Sequence, residues 1–526
     1  MVNIIFHSGN GSGQTASVPS GTTLQEAAGL AGIDLRTHCG GAGTCKKCVV
    51  IVNGKTVLAC RTKAESDLTV VVPESSLRKN EQQAVVQTGL TENFSGYAGL
   101  SSPFPVLRPA ARSAHPCGIA VDIGTTTLAA ELHDFAGQRA VQTAARANPQ
   151  RAFGDDLMTR IQKGMENPAA FAEMQQSVVH TVNEMIAEMT GKSGLKPDDV
   201  SAAVVAGNTV MQCLFFGIDP SPLGEAPYIA PAATFPPVLC RSIGLAGSPD
   251  STVEGFPVFG GFVGGDITAG VLTLQNITRG LQTDPGQGLC RPCFFLDIGT
   301  NGEMVLAKDG GLFTAATAAG PAFEGAKIRC GTLAVPGAVD HVTLDGSGFR
   351  ISTIGNLPAV GLCGSGLIDA VAVLLESGVI KSSGQFAEKQ KSVELVSAAE
   401  SGTHEPVVLT QQDIRELQLA AGAMRAGMTL LLQKNNVQPE ELETFYVAGG
   451  FGQFIRPASA RRIGLLPPLP LRKFQFCGNT SLAGAGMMLR DPSQAEVVRR
   501  FVQQSQHFDL ASFPEFHTAF AESMRF

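Results

Sequence analysis

IAVDIGTTTLAAEL at residues 119–132 and FFLDIGTNGEMVL at residues 294–306 each place an Asp-Ile-Gly-Thr turn between two apolar strands. The same strand-turn-strand unit therefore occurs twice in the chain. Around these units, short apolar strands alternate with helical segments such as 155–165 and 169–189, a pattern typical of an α/β body. The duplication predicts two related subdomains that face each other across a cleft.

The duplicated turn suits phosphate binding. Its backbone N–H groups and hydroxyls can contact phosphate oxygens, while its carboxylate holds Mg²⁺ directly or through water. Two such turns can clamp a polyphosphate from both sides, although a pair of ordinary hairpin turns is the alternative. P-loop chemistry is excluded, because Gly-Lys-Thr at 54–56 and Gly-Lys-Ser at 191–193 have Val49 and Ile186 where the upstream glycine is required.

Three glycine-rich segments, 206–209, 361–366 and 448–452, fit the same cleft. Each alone is more often a turn, but together they resemble the phosphate-1, connect, phosphate-2 and adenosine motifs of the actin-like ATPase and sugar-kinase superfamily. The resemblance implies two RNase H-like subdomains with ATP and Mg²⁺ between them. The residues expected at the nucleotide are Gly124, Thr125, Thr126, Thr127, Gly207, Asn208, Thr209, Asp266, Gly299, Thr300, Asn301, Gly302, Gly320, Gly364, Ser365, Gly366, Gly449 and Gly450.

A cysteine loop marks a second site. Cys39, Cys45 and Cys48 form Cys-x5-Cys-x2-Cys, and Cys60 follows after eleven residues. Four thiolates can hold a 2Fe-2S cluster, and the glycines of the loop let the backbone wrap tightly around it. Zinc is the rival, since Cys45 and Cys48 are a CxxC pair, but zinc sites usually join two such pairs. The segment resembles a β-grasp 2Fe-2S ferredoxin, with a spacing nearer the adrenodoxin-like pattern than the plant type.

The chain is too long for one hydrophobic core. We expect an α+β ferredoxin-type domain at 1–78, in which Thr22 or Thr23 caps a helix, and a proline-containing linker at 79–116. The α/β body then divides into a first ATPase subdomain at 117–206 and a C-terminal ATPase domain at 207–526.

The formal net charge of −7 argues against a nucleic-acid or anionic-membrane partner, because either favours a basic surface. The N-terminus has no secretion signal, and no apolar stretch approaches the roughly 20 residues that span a bilayer. We therefore expect a cytoplasmic protein whose cysteines are metal ligands or buried thiols rather than disulfides.

A ferredoxin domain joined to an actin-like ATPase body resembles the reductive activators of corrinoid-dependent enzymes. Blocks at 148–150, 154–156, 263–266, 319–325 and 463–467 agree with that resemblance over essentially the whole chain. It implies an ATP-hydrolysing oxidoreductase that passes an electron to Co(II) of a partner corrinoid protein, restoring Co(I) for methyl transfer or O-demethylation. It also implies an upstream low-potential electron donor and a homodimer.

Within the cleft, Asp122 and Asp297 are expected to position Mg²⁺ and water, and Thr125, Thr126, Thr300 and Asn301 to contact phosphates. Glu303 and Glu324 could orient the attacking water. A strand-end salt bridge for Glu303 and a surface position for Glu324 are equally consistent with the sequence.

Three other functions fit parts of the chain. An activator of a non-corrinoid enzyme is one, although such activators usually bridge a 4Fe-4S cluster across a dimer. A small-molecule kinase with a redox domain and a plain electron carrier are the others.

Cys290 and Cys293 form a further CxxC, which we interpret as coincidence. We interpret the six remaining cysteines as core residues.

Overall fold

The computed structural model describes residues 1–8, 13–33, 35, 41, 43, 46–73, 76–77, 116–137, 139–277, 292–346, 348–449 and 454–526. The predicted linker lies almost wholly outside these residues, as do Cys39, Cys45, Cys290 and Gly450. The two longest helices have 24 residues each and carry charged side chains. No helix in the described ranges has the length and hydropathy of a bilayer-spanning segment.

The N-terminal domain is a five-stranded sheet with one helix. Its elements are β1 Val2–Ser8, β2 Gln14–Val18, α1 Leu24–Leu30, β3 Val49–Val52, β4 Lys55–Leu58 and β5 Leu68–Val72, and the strand order is β2-β1-β5-β3-β4. Thr23 caps α1 through a capping box, in which Thr23 Oγ1 accepts from Glu26 N and Glu26 accepts from Thr23 N. Alternate strand residues such as Ile4 and Phe6 are fully buried against the helix side chain Leu24.

A first six-stranded sheet begins the α/β body. Its elements, with their helices, are β6 Cys117–Ile123, β7 Thr127–Asp134, β8 Arg139–Ala147, α2 Leu157–Glu166, α3 Ala169–Lys192, β9 Val200–Gly207, α4 Thr209–Phe216, β10 Phe235–Leu239, β11 Thr252–Gly255 and α5 Gly265–Ile277. The strand order is β10-β11-β9-β6-β7-β8. Two strands after residue 206 thus belong to the same sheet as those before it. The division of the body into two domains at that residue stays a prediction.

The second six-stranded sheet and two small sheets follow. Their elements are β12 Cys293–Ile298, β13 Asn301–Lys308, β14 Gly311–Ala318, β15 Ala338–Asp345, β16 Gly348–Thr353, β17 Gly361–Leu362, α6 Gly364–Glu376, β18 Ser392–Val396, β19 Val407–Thr410, α7 Gln411–Lys434, β20 Thr444–Ala448, α8 Pro457–Arg462, β21 Phe474–Gly478, α9 Thr480–Arg490, α10 Gln494–Gln503, β22 Ser505–Phe508 and α11 Pro514–Ser523. The large sheet has the order β21-β20-β12-β13-β14-β22.

The two large sheets repeat one topology. In each, an antiparallel hairpin carries the Asp-Ile-Gly-Thr turn and lies beside a parallel strand. Asp122 pairs with Ala129 on β7 and Ala206 on β9, and Asp297 pairs with Glu303 on β13 and Ala448 on β20. The predicted duplication is therefore confirmed, although the second turn is one residue shorter, since Ile123 pairs with Leu128 and Ile298 pairs with Gly302.

Helices α5 and α9 join the two repeats. Their apolar side chains share one core with residues of both large sheets, including Val204 and Phe295. The helices cross closely, since a Cβ at Gly484 would lie 2.2 Å from the backbone oxygen of Ala269. Thr273 Oγ1 also donates to Thr480 O at 2.8 Å. A tightly packed helix pair therefore holds the sheets so that their turns face one cavity.

Candidate nucleotide cleft and cluster site

The two Asp-Ile-Gly-Thr turns open onto one cavity. Most of the predicted nucleotide and catalytic residues line it: Asp122, Gly124, Thr125, Thr126, Thr127, Asn208, Asp266, Asp297, Gly299, Thr300, Asn301, Glu303, Glu324, Gly364, Ser365 and Gly449. The remaining predicted residues that the structure describes are not among the lining: Gly207, Thr209, Gly302, Gly320 and Gly366. The sequence motifs thus locate the cavity but include residues behind its wall.

Two of the glycines outside the lining, Gly207 and Gly366, serve the packing of the wall. A Cβ at Gly366 would lie 2.1 Å from Val339 O, and one at Gly207 would lie 2.8 Å from Ile123 O. Both glycines therefore let neighbouring backbone segments approach. Thr209 is the first residue of α4 and is fully buried. These residues shape the cavity without facing it.

The first turn is held by side chains from the same repeat. Gly124 N donates to Thr127 O at 3.0 Å, which closes the turn. Asn148 Nδ2 donates to Gly124 O at 2.8 Å, and Asn208 Nδ2 donates to Thr125 Oγ1 at 3.1 Å. These hydrogen bonds hold the polar atoms of the turn in place before a ligand binds.

Arg160 is a structural support that the sequence reasoning missed. Its side chain is fully buried, and its guanidinium donates to Gly154 O at 2.8 Å and to Thr125 O at 2.5 Å. A buried arginine is rare unless its donors are satisfied. Here it ties the start of α2 to the phosphate turn.

Asp122 is oriented from the other repeat. Asn479 Nδ2 donates to Asp122 Oδ2, and Ser481 Oγ donates to Asp122 Oδ1, both at 2.8 Å. The sequence reasoning missed both donors. A signal was present, because Gly-Asn-Thr at 478–480 repeats the Gly-Asn-Thr at 207–209. In each triplet the asparagine caps the following helix.

Four carboxyl groups share the floor of the cavity. Burial, together with the charge of Asp122, raises the pKa of Asp297 to about 7. Burial and the charges of Asp297 and Asp122 raise the pKa of Asp266 well above its ordinary value. Burial and the charges of Asp266 and Asp297 do the same for Glu303. Such a cluster favours a cation, because a cation relieves the repulsion between carboxylates.

Mg²⁺ bound with ATP is the cation expected from the sequence, and the cavity fits this pair. Among the described residues, no three His, Cys, Asp or Glu side chains are arranged to ligate a metal directly. Glu324 Oε2 and Asp340 Oδ1 are buried without a hydrogen-bond partner in the described structure, and both residues line the cavity. Buried polar atoms without partners mark places for a polar ligand or ordered water.

The two glutamates have different surroundings. Thr300 Oγ1 donates to Glu324 Oε1 at 2.7 Å, and burial raises the Glu324 pKa. Glu324 is therefore part of the second phosphate turn and not a surface carboxylate. Glu303 is buried opposite Asp297 on the adjacent strand. Its raised pKa reflects burial and carboxylate neighbours, unlike a carboxyl in a strand-end salt bridge.

Gly449 brings the adenosine motif against the second turn. Its φ is +105°, and a Cβ there would lie 2.3 Å from Ile298 O and 3.0 Å from Asp297 Oδ1. Only glycine fits such a position without strain. The backbone after β20 can therefore approach both the turn and a bound ligand closely.

The described part of the cysteine loop fits a 2Fe-2S cluster. Cys48 and Cys60 are buried, and Ala59 N donates to Cys48 O at 2.8 Å, which holds their segments side by side. Gly41 has a φ of +92°, and its Cβ position is 4.0 Å from Cys60 Cβ. Gly41 thus lies beside Cys60, as a loop that wraps around a cluster requires.

Most of the six cysteines predicted to be core residues are buried. Five of them, Cys117, Cys213, Cys240, Cys363 and Cys477, are buried, and Cys330 is half-buried. Burial raises the pKa of Cys117 and that of Cys213 to about 12, so both thiols stay protonated. Cys293 is also buried, within β12.

The fold and the cleft define a ferredoxin-type domain joined to an actin-like ATPase. Family models match in three consecutive parts. They are the 2Fe-2S iron-sulfur cluster binding domain at residues 8–70, the RACo middle region at 117–277, and the C-terminal domain of RACo, the ASKHA domain, at 291–526. The chain belongs to the family of reductive activators of corrinoid proteins.

Individual relatives agree with this assignment. A solved structure described as a reductive activator for corrinoid, iron-sulfur protein is 31% identical, with a TM-score of 0.70, and the match covers 100% of this chain and 98% of the other. The corrinoid activation enzyme RamQ of Eubacterium limosum is 29% identical over 92% of this chain and 93% of its own. A reductase of the Co(II) methylated amine-specific corrinoid protein from Methanosarcina barkeri is 30% identical over 43% of this chain and 44% of its own.

Proposed function

We propose that this protein hydrolyses ATP to drive one electron from its 2Fe-2S cluster to Co(II) of a partner corrinoid protein, which becomes Co(I). The observation that carries the proposal is the pairing, in one chain, of two buried cysteines, Cys48 and Cys60, with a cleft in which two Asp-Ile-Gly-Thr turns face each other. The likeness to a reductive activator over the full chain supports it. For one electron, each 100 mV of unfavourable potential costs about 2.3 kcal/mol, so nucleotide energy is needed.

The phosphates bind between the two turns in this proposal. The hydroxyls of Thr125, Thr126 and Thr300 and the amide of Asn301 line the cavity and contact phosphate oxygens. Asp122 and Asp297 would hold the hydrated Mg²⁺, which would neutralise phosphate charge, and Asp266 would add a third carboxylate to this set.

Glu324 is the better placed of the two candidates for orienting the attacking water. One of its oxygens accepts from Thr300 Oγ1 and the other has no partner in the described structure. That free oxygen can accept a hydrogen bond from a water next to the phosphate turn. Glu303 lies opposite Asp297 on the adjacent strand, where it would support the hydrated metal.

The energy of the nucleotide is converted through movement of the two repeats. Each repeat contributes one turn, so bound Mg-ATP contacts both repeats. When Mg-ATP is lost by hydrolysis, the contacts with both repeats are lost together. The packed pair α5 and α9 keeps the repeats joined during such a change. A partner that binds one arrangement better than the other then senses the nucleotide.

The partner is a corrinoid protein of a methyltransferase system, and an upstream low-potential donor reduces the cluster. We further propose that the protein acts as a homodimer in the cytoplasm, with no nucleic-acid or membrane partner. The net charge of −7 supports the last point, because an anionic surface repels phosphate-rich polymers and anionic lipids.

The test combines the cluster-loaded protein with a Co(II) corrinoid protein, a chemical reductant and Mg-ATP under anaerobic conditions. Co(I) should appear, by its absorbance, only when both ATP and this protein are present. Asp297→Asn should remove the stimulation by ATP. Full-rate Co(I) formation by that variant would rule out the coupling, and transfer of phosphate to an added sugar would indicate a kinase instead.

A further inference from the structure

One loop of the ATPase body contacts both the nucleotide cleft and the cluster-bearing domain. This 319–334 loop follows β14. Phe323, Glu324, Leu333 and Ala334 line the cavity between the repeats, and Glu324 accepts the hydroxyl of Thr300 in the second phosphate turn. The two ends of the loop thus belong to the cleft wall.

The middle of the loop faces the N-terminal domain. Lys47 Nζ donates to the backbone oxygen of Ile328 at 3.0 Å. Lys47 is half-buried and directly precedes Cys48, so it lies in the cysteine loop itself. An ammonium on a half-buried carbonyl forms a charge-assisted hydrogen bond, which is stronger than a neutral one.

The loop is stiff between these two contacts. Gly325 has a φ of +76°, and a Cβ there would lie 2.5 Å from Thr332 N. Lys327 has a φ of +63°, which is rare for a residue with a side chain. Arg329 N donates to Asp413 Oδ1 at 2.7 Å, at the buried capping box of α7. Because these features restrict the backbone between the two contacts, we expect a shift at Glu324 to reach Ile328.

We propose that the 319–334 loop is the docking surface for the cluster-bearing domain of the same chain, and that nucleotide in the cleft weakens this docking. Glu324 has one oxygen without a partner, and a hydrated nucleotide recruits that oxygen and moves the loop. The Lys47 contact then loosens, which frees the cysteine loop to approach the corrinoid partner. This inference rests on the proposed role of the cleft in binding nucleotide.

Hydrogen–deuterium exchange of the full-length, cluster-loaded protein tests the docking. Without nucleotide, the backbone amides of 46–50 and 326–332 should be protected, and a non-hydrolysable Mg-ATP analogue should increase their exchange several-fold. Lys47→Ala should exchange at the nucleotide-bound rate from the start. Lys55→Ala is the matched control, because Lys55 is exposed on a hairpin of the same domain, and it should behave as the unaltered protein does.

The Glu324→Gln variant tests the coupling between nucleotide binding and docking of the cluster-bearing domain. Glu324→Gln should bind the analogue but leave the exchange of 46–50 unchanged. If the amides of the Lys47 and Lys55 variants were equally protected from exchange, the proposed docking surface would be wrong. If the analogue changed the exchange of residues 297–303 but not that of residues 46–50, the proposed coupling would be wrong. Absence of nucleotide binding by calorimetry would instead overturn the proposed function together with this inference. Visible absorption checks that each variant keeps its cluster.

Discussion

Asn479 Nδ2 lies 2.8 Å from Asp122 Oδ2, although 357 positions separate the two residues. With the Ser481 hydroxyl on the other oxygen, the Asp122 carboxylate has donors from the opposite repeat on both sides. For Asp297, burial and the charge of Asp122 raise the pKa to about 7. The two Asp-Ile-Gly-Thr turns thus differ in electrostatics and also in length, because Gly124 N donates to Thr127 O whereas Gly299 N donates to Asn301 O.

Asn479→Asp should weaken Mg-nucleotide binding without unfolding α9. Aspartate caps a helix as well as asparagine does, so the bond from Leu482 N to the capping side chain is kept. The contact with Asp122 is replaced by carboxylate repulsion. Loss of a hydrogen bond to a charged group corresponds to about tenfold or more in affinity, measured by calorimetry. An unchanged affinity with unchanged circular dichroism would show that Asp122 does not depend on this donor.

The nucleotide-free protein should become less stable as pH rises from about 4 to about 7, because Asp297 loses its proton over this range. The pKa of this carboxyl is raised from 3.8 to about 7 in the folded state. Between these two pKa values, the folded state holds a proton that the unfolded state has lost. The contribution of this carboxyl to stability is therefore fully present below pH 3.8 and lost above about pH 7. Burial and neighbouring carboxylates act in the same direction on Asp266.

Thermal unfolding of the unaltered protein and of Asp297→Asn across this pH range measures the effect. The asparagine variant should show a weaker decline, because it has no proton to lose. Adding Mg²⁺ with ADP should restore stability to the unaltered protein at the upper end of the range. Parallel pH profiles for both proteins would contradict the raised pKa.

Cys48→Ser and Cys60→Ser should each lose the 2Fe-2S cluster. Thiolates are the ligands that such a cluster requires, and both side chains are buried in the N-terminal domain. Iron and sulfide content, with the visible absorption, measure the loss. Cys117→Ala is the matched control, since Cys117 is a buried thiol in the body, and it should keep a full cluster. Zinc in place of iron in anaerobically prepared protein would refute the assignment.

Gly449→Ala should abolish nucleotide binding. The side chain would meet Ile298 O at 2.3 Å in a backbone conformation of φ +105°, and such strain costs about 1–3 kcal/mol before any clash is counted. The second turn would have to move away from the cleft. Gly346→Ala provides the comparison, because a Cβ there meets no atom within 4 Å. Binding by both variants would show that the close approach at Gly449 is dispensable.

Much of the fold could be predicted from local patterns. A helix cap at Thr22 or Thr23, the strands around both turns and the two helices at 157–166 and 169–192 all follow from neighbouring residues. The structure identifies Thr23 as the cap and shows its capping box with Glu26. The sequence could not show that Gly207 and Gly366, which its motifs assign to the nucleotide, lie where backbone segments pack closely.

The sequence by itself determined the classes of element and of site, because strand alternation, capping and ligand spacing depend on residues a few positions apart. The repeated Asp-Ile-Gly-Thr turn and the cysteine spacing were enough for that. Only the tertiary structure decided the partners of Asp122, the raised pKa of Asp297 and the contact between Lys47 and Ile328. These features depend on how two sheets and a separate domain pack together, although their residues are hundreds of positions apart in the sequence. That packing, and not the neighbouring residues in the chain, sets the burial of a group and the charges around it.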